Sequence, residues 1–259
     1  MTASRFNSSE FLNWKINFIL ATNEASEMSR VSDLNFLPVE GLIIRYAKQF
    51  ETRNAKPETL MTYLALGDSY TIGEGVTLYE SFPYQVVQML RKDGIMLEGP
   101  EIIAKTGWTT DELQSAISSR KLLPSYDFVS LLIGVNNQYR GRPIDEYRQQ
   151  FESLLKKSVR LAGNRSKRVI VISIPDWGAA PFAGDKDRKK ISEEIDDFNL
   201  LNKSLAILQE TQYIDITTGS REAADVAGLV APDGLHPSGK EYERWAKLVA
   251  AKFKNELPR

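Results

Sequence analysis

The stretch "YLALGDSYTIGEG", residues 63–75, decides the architecture. It opens with a short apolar run that stops at Gly67, the pattern of a small buried strand. A polar, glycine-rich loop follows. Beyond it, "SFPYQVVQMLRKDG" (81–94) spaces its apolar residues as a helix does and closes on a glycine stop signal. Strand, loop and helix in that order open an α/β chain.

The alternation continues downstream. "EIIAKTG" (101–107) reads as a second strand, and "TTDELQSAI" (109–117) starts a helix with a capping-box pattern, Thr109 and Glu112. "DFVSLLIGVNN" (127–137) has the pattern of a buried strand. Pro143 then begins a long amphipathic helix that stops near Gly163. "RVIVISIP" (168–175) is the most β-branched run and predicts a central strand. A helix is expected over roughly 187–210, and a weaker fifth strand at "YIDI" (213–216). A last helix begins near Ser238 and places Tyr242, Trp245, Leu248 and Val249 on one face. Such alternation implies a parallel sheet covered on both faces. Sites in these sheets gather at the C-terminal ends of the strands, near a switch in strand order.

Composition narrows the chemistry. The chain has 259 residues, 33 basic and 34 acidic, for a formal net charge of -1. That balance supplies no chain-wide field for nucleic acid or an anionic membrane. There is no cysteine, so disulfides, thiolate catalysis and cysteine-ligated zinc are excluded. With a single histidine, a transition-metal site built on nitrogen is not expected either, and no cofactor is expected. "INFILA" (16–21) is too short to span a bilayer and lacks the flanks of a signal peptide, which gives the expectation of a cytoplasmic protein.

The loops after the strands carry the rest. "GDSYTIGEG" (67–75) lacks the Gly-Lys-Ser/Thr ending of a phosphate loop, and Asp68 would set a negative charge beside a bound phosphate. "TGWTT" contains Gly107, and "IGVNNQYRG" contains Gly134 and Asn136, whose amide is either turn chemistry or a neutral donor to a developing oxyanion. "APDGLHPSGK" (231–240) holds His236, the only histidine, three residues after Asp233. A serine alcohol needs a base, an imidazole suits that task, and a carboxylate at Nδ1 fixes its tautomer. A turn through Gly234 and Leu235 can bring the Asp233 carboxylate back to Nδ1 while Nε2 points away.

"GDSY", Gly107, "GVNN" and "DGLH" together resemble the four blocks of the SGNH (GDSL-type) esterase and lipase family, in the family's order, across residues 63 to about 250. The resemblance implies a three-layer α/β/α, flavodoxin-like fold with a five-stranded parallel sheet in the order 2-1-3-4-5. It implies metal-free hydrolysis of small carboxylic esters, acetyl or short-chain acyl, through an acyl-enzyme. Ser69 would be the nucleophile, His236 the base and then acid, and Asp233 its orienter. The oxyanion donors would be the N–H groups of Ser69 and Gly107 and the Asn136 amide. Two positions depart from the pattern: Tyr70 replaces leucine without chemical consequence, and Asn137 replaces aspartate, which puts an outer contact in doubt.

Trp108, Tyr139, Arg140, Trp177 and Phe182 are pocket candidates, each either packing or recognition. Arg140 would meet an anionic group of the substrate or a neighbouring acid. Acyl transfer by the same acyl-enzyme is one alternative, and a catalytically silent carbohydrate- or lipid-binding module is another. The expected partner is a small ester; the oligomeric state is left open. Residues 1–60 hold no motif block and are expected to be an appendage, helical in part or poorly ordered, to a hydrolase domain spanning 61–259.

Overall fold

The computed structural model describes residues 60–226 and 228–257. The chain divides into two units, Met1–Pro57 and Glu58–Arg259, and the described residues lie in the second. The expectation for residues 1–60 therefore falls, Leu60 apart, outside the described residues.

Five parallel strands form one sheet in the order β2-β1-β3-β4-β5: β1 Tyr63–Gly67, β2 Glu101–Ala104, β3 Phe128–Leu132, β4 Val169–Ile172 and β5 Gln212–Ile214. Every residue of β1, β3 and β4 is buried, whereas the edge strands β2 and β5 are only half-buried. This is why the inner strands read as continuous apolar runs: helices cover both their faces. Register runs Gly67 to Ala104 on one side of β1 and Gly67 to Leu132 on the other. The loops after β1, β2 and β3 therefore leave the sheet at one level, beside the switch in strand order.

Eight helices accompany the strands among the described residues: α1 Ser69–Ile72, α2 Phe82–Lys92, α3 Thr110–Ser118, α4 Val135–Tyr139, α5 Ile144–Leu161, α6 Arg188–Leu208, α7 Thr217–Asp225 and α8 Gly239–Asn255. Helices α2 and α8 pack on each other, while α5 packs on α3, α6 and β3. Phe253 of α8 reaches the sheet, stacking on Phe128 with ring centroids 4.1 Å apart and meeting Tyr63 edge-on at 5.2 Å. Tyr147 of α5 lies 4.5 Å from Phe198 of α6 in the other helical layer.

Several boundaries differ from the sequence reading. The strand expected over 127–137 ends at Leu132, and residues 135–139 are helical. Gly134 makes the break: its φ of 134° excludes side chains, and an added Cβ would lie 2.8 Å from the Tyr147 ring. The second strand stops at Ala104, short of Gly107, and β5 is displaced toward Gln212. Helix α7 has no counterpart in the sequence reading. On α8, Leu248 is 45% exposed; Ala246 joins Tyr242, Trp245 and Val249 on the buried face instead. No described helix is long and apolar enough to cross a membrane.

Candidate active site

Asp68 follows β1 directly and caps α1. Its Oδ1 accepts from Tyr70 N at 3.1 Å, and its carbonyl accepts from Thr71 N and Ile72 N. A helix start leaves its first N–H groups without intrahelical partners. Here three of the first four are satisfied, and the N–H of Ser69 alone has no partner among the described residues. Burial of the Asp68 carboxyl pushes it up to about 7, against the opposing pull of the Tyr70 N–H.

The histidine sits on a loop built by its own aspartate. Asp233 Oδ1 accepts from Leu235 N and His236 N, both at 2.9 Å, folding the chain back. Its Oδ2 then lies 2.6 Å from His236 Nδ1. Burial raises the Asp233 carboxyl, but the His236 side chain and the two N–H donors together hold it below the usual carboxylate range. Tyr70 packs against the imidazole with ring centroids 5.0 Å apart. The tyrosine in place of leucine thus has a structural use that the motif alone does not disclose.

In the third loop, Asn136 Nδ2 donates to Trp108 O at 3.0 Å and approaches Asp68 Oδ2 at 3.5 Å. Its neighbour Asn137 is buried and grips the start of α3, accepting from Thr110 N at 3.1 Å and donating to Thr110 Oγ1 at 2.8 Å. Gly107 has φ 82°, and its N–H has no partner among the described residues.

Ser69, Asn136 and His236 line one cavity of about 170 Å³, together with Tyr70, Val135, Leu235, Tyr139, Trp177 and Phe182. Among the described residues, no hydrogen bond joins Ser69 Oγ to the imidazole; such contacts commonly close only around substrate. Gly107, Trp108 and Arg140 do not line the cavity. Trp177 is the hub of its aromatic wall, with Tyr139 edge-on at 5.1 Å and Phe182 at 6.3 Å. A chain that sequence reading missed fixes the indole: Trp177 Nε1 donates to Gln138 Oε1 at 2.6 Å, and Gln138 Nε2 to Glu194 Oε2 at 2.7 Å. The preceding residue, Asp176, is buried and pairs with Arg221 at 2.8 Å. Nothing local in the sequence marks these partners. Among the described residues, no three His, Cys, Asp or Glu side chains converge as a metal site.

Residues 65–244, well over half of the chain, match the GDSL-like Lipase/Acylhydrolase family. The chain belongs to that family. As a GDSL-like acylhydrolase it is an ester-hydrolysing enzyme. Solved structures share the GDSL-like fold. The crystal structure of TesA has 20% identity and a TM-score of 0.58, over 76% of this chain and 100% of that one. A lipase/acylhydrolase from Enterococcus faecalis has 21% identity and a TM-score of 0.57, over 77% and 98%. Axe2, an acetylxylan esterase from Geobacillus stearothermophilus, has 19% identity and a TM-score of 0.56, over 74% and 94%. At these identities the likeness is one of fold. Among curated proteins, none matches the GDSL-like chain by sequence.

Proposed function

We propose that the protein hydrolyses small carboxylic esters through an acyl-enzyme on Ser69, with His236 as base and then acid and Asp233 as its orienter. The observation that carries this reading is the 2.6 Å contact between Asp233 Oδ2 and His236 Nδ1 beside a cavity shared with Ser69. With Nδ1 occupied, Nε2 is the nitrogen left to take the serine proton. Serine Oγ adds to the ester carbonyl, and the resulting oxyanion accepts from Ser69 N, Gly107 N and the Asn136 amide, whose long 3.5 Å contact with Asp68 Oδ2 is the one given up. The imidazolium then gives its proton to the departing alcohol. Water, deprotonated by His236, attacks the acyl-enzyme and releases the acid.

The cavity favours a short acyl group. Apart from Ser69, Asn136, His236 and the two tyrosines, its lining is Val135, Leu235, Trp177 and Phe182, and its volume is about 170 Å³. Acetyl and short linear esters are the expected substrates.

Labelling with a fluorophosphonate tests the nucleophile: wild type reacts at Ser69 and Ser69→Ala does not. Ser69→Ala and His236→Ala should each lower turnover by up to about a millionfold, with the double variant no worse than either, because the residues act as a unit. Labelling elsewhere, or a double variant much slower than both singles, would refute the assignment.

A further inference from the structure

We propose that Arg140 is a positioning residue of the oxyanion site, holding the loop around Gly107 so that the Gly107 N–H faces the reacting centre. The inference rests on the esterase reading above. Asn136 lies in α4 and Arg140 caps its C-terminus, four residues on, so both side chains leave one face of the helix. They grip consecutive carbonyls of the same loop. Asn136 Nδ2 donates to Trp108 O at 3.0 Å, and Arg140 Nη2 donates to Gly107 O at 2.6 Å.

The second of these is charge-assisted and short, the stronger kind of hydrogen bond. It acts where the backbone most needs restraint. Gly107 has φ 82°, a conformation glycine shares with several others at little cost. The peptide that carries the Gly107 N–H is bracketed on its other side by Thr106, whose hydroxyl donates to the Glu74 carboxylate. The Trp108 N–H donates to Lys105 O at 3.2 Å, closing the turn that contains this peptide, and Arg140 on the Gly107 carbonyl holds the exit of that turn. One short helix thus sets two proposed donors at once, the Asn136 amide directly and the Gly107 N–H through Arg140.

Arg140 is poorly placed to bind a substrate anion. It does not line the cavity, and both terminal nitrogens are engaged within the chain, Nη2 by Gly107 and Nη1 by Glu112 at 3.5 Å. Its pair with Glu112 is exposed and contributes little by itself.

Kinetics of the full-length chain with p-nitrophenyl acetate test the proposal. Arg140→Met should lower kcat by about tenfold to a hundredfold, a fraction of the loss from deleting a donor outright, and leave KM within about twofold. Arg140→Lys should recover part of kcat, since a point charge can still reach one carbonyl. In Arg140→Ala, guanidinium ion added below denaturing concentrations should raise kcat, and potassium ion at equal ionic strength should not. A raised KM with unchanged kcat would make Arg140 a substrate-binding residue and overturn the proposal, as would wild-type kcat in both Met and Lys variants. If Arg140→Met fails to fold, the Lys variant and its kcat decide. Failure of the esterase reading shows separately, as full activity in Ser69→Ala.

Discussion

Asp68 is a carboxyl held where its charge is costly, one residue from the proposed nucleophile. Burial raises it to about 7, above the value of an aspartate in an unfolded chain. The folded state therefore keeps a proton that the unfolded state has already lost. The favourable contribution is complete below about pH 4 and declines as pH rises through 7, by at most about 4 kcal/mol. An asparagine at this position would keep the acceptor for Tyr70 N without the titration. We predict that Asp68→Asn gains stability relative to wild type on going from pH 5 to pH 8, read by urea denaturation at both values. Parallel stability curves for the two proteins would show that Asp68 does not titrate in this range. At this scale the sequence was most informative about chemistry. The contact between Asp233 and His236 was legible in "DGLH", because the two residues meet within one short loop. The state of Asp68 was not legible, because burial is conferred by segments far away in the chain.

Helix α4 shows where the reading of elements failed. "LLIGVNNQY" continues an apolar strand pattern, and only the conformation of Gly134 against Tyr147 turns it into a helix. Tyr147 reinforces the break, its hydroxyl donating to Ile133 O at 2.9 Å. Helix α7 escapes the sequence for a different reason: "TTGSREAAD" contains no large apolar residue, and its Arg221 is held by Asp176 on another loop. The inner strands and α5 were legible because burial on both faces and amphipathic spacing are local patterns. Gln138 follows from the α4 geometry, since it points a polar side chain at Trp177 from beneath the cavity wall. We predict that Gln138→Leu destabilises the protein by about 1–3 kcal/mol, the cost of leaving a buried indole N–H unpaired. It should also broaden acyl preference toward longer chains as Trp177 loosens. Thermal melting and a series of p-nitrophenyl esters from acetate to octanoate measure both. An unchanged chain-length profile with lowered stability would confine Gln138 to a structural role.

Across the whole molecule, α8 closes a sheet face that the preceding elements leave open. Phe253 is fully buried between Tyr63 and Phe128, which belong to adjacent strands far earlier in the chain. Phe253→Ala should cost about 3–5 kcal/mol. It should lower the melting temperature by roughly 10 °C in a domain of this size, as calorimetry would show. Every residue assigned to the site lies between Asp68 and His236, so residues 61–259 expressed alone should hydrolyse esters at nearly the full chain's rate. An inactive or insoluble product would mean that the preceding residues complete the core or the site. The packing of α8 also bears on how the protein is made. All five strands precede α8 in the chain, so Tyr63 and Phe128 gain their contact with Phe253 only once the last helix has been made. The loop bearing His236 runs directly into α8, whose N-cap is Ser238, two residues after the histidine. A chain that stops short of Phe253 would leave the Tyr63 and Phe128 rings without their cover, so resistance to aggregation should arrive late in synthesis.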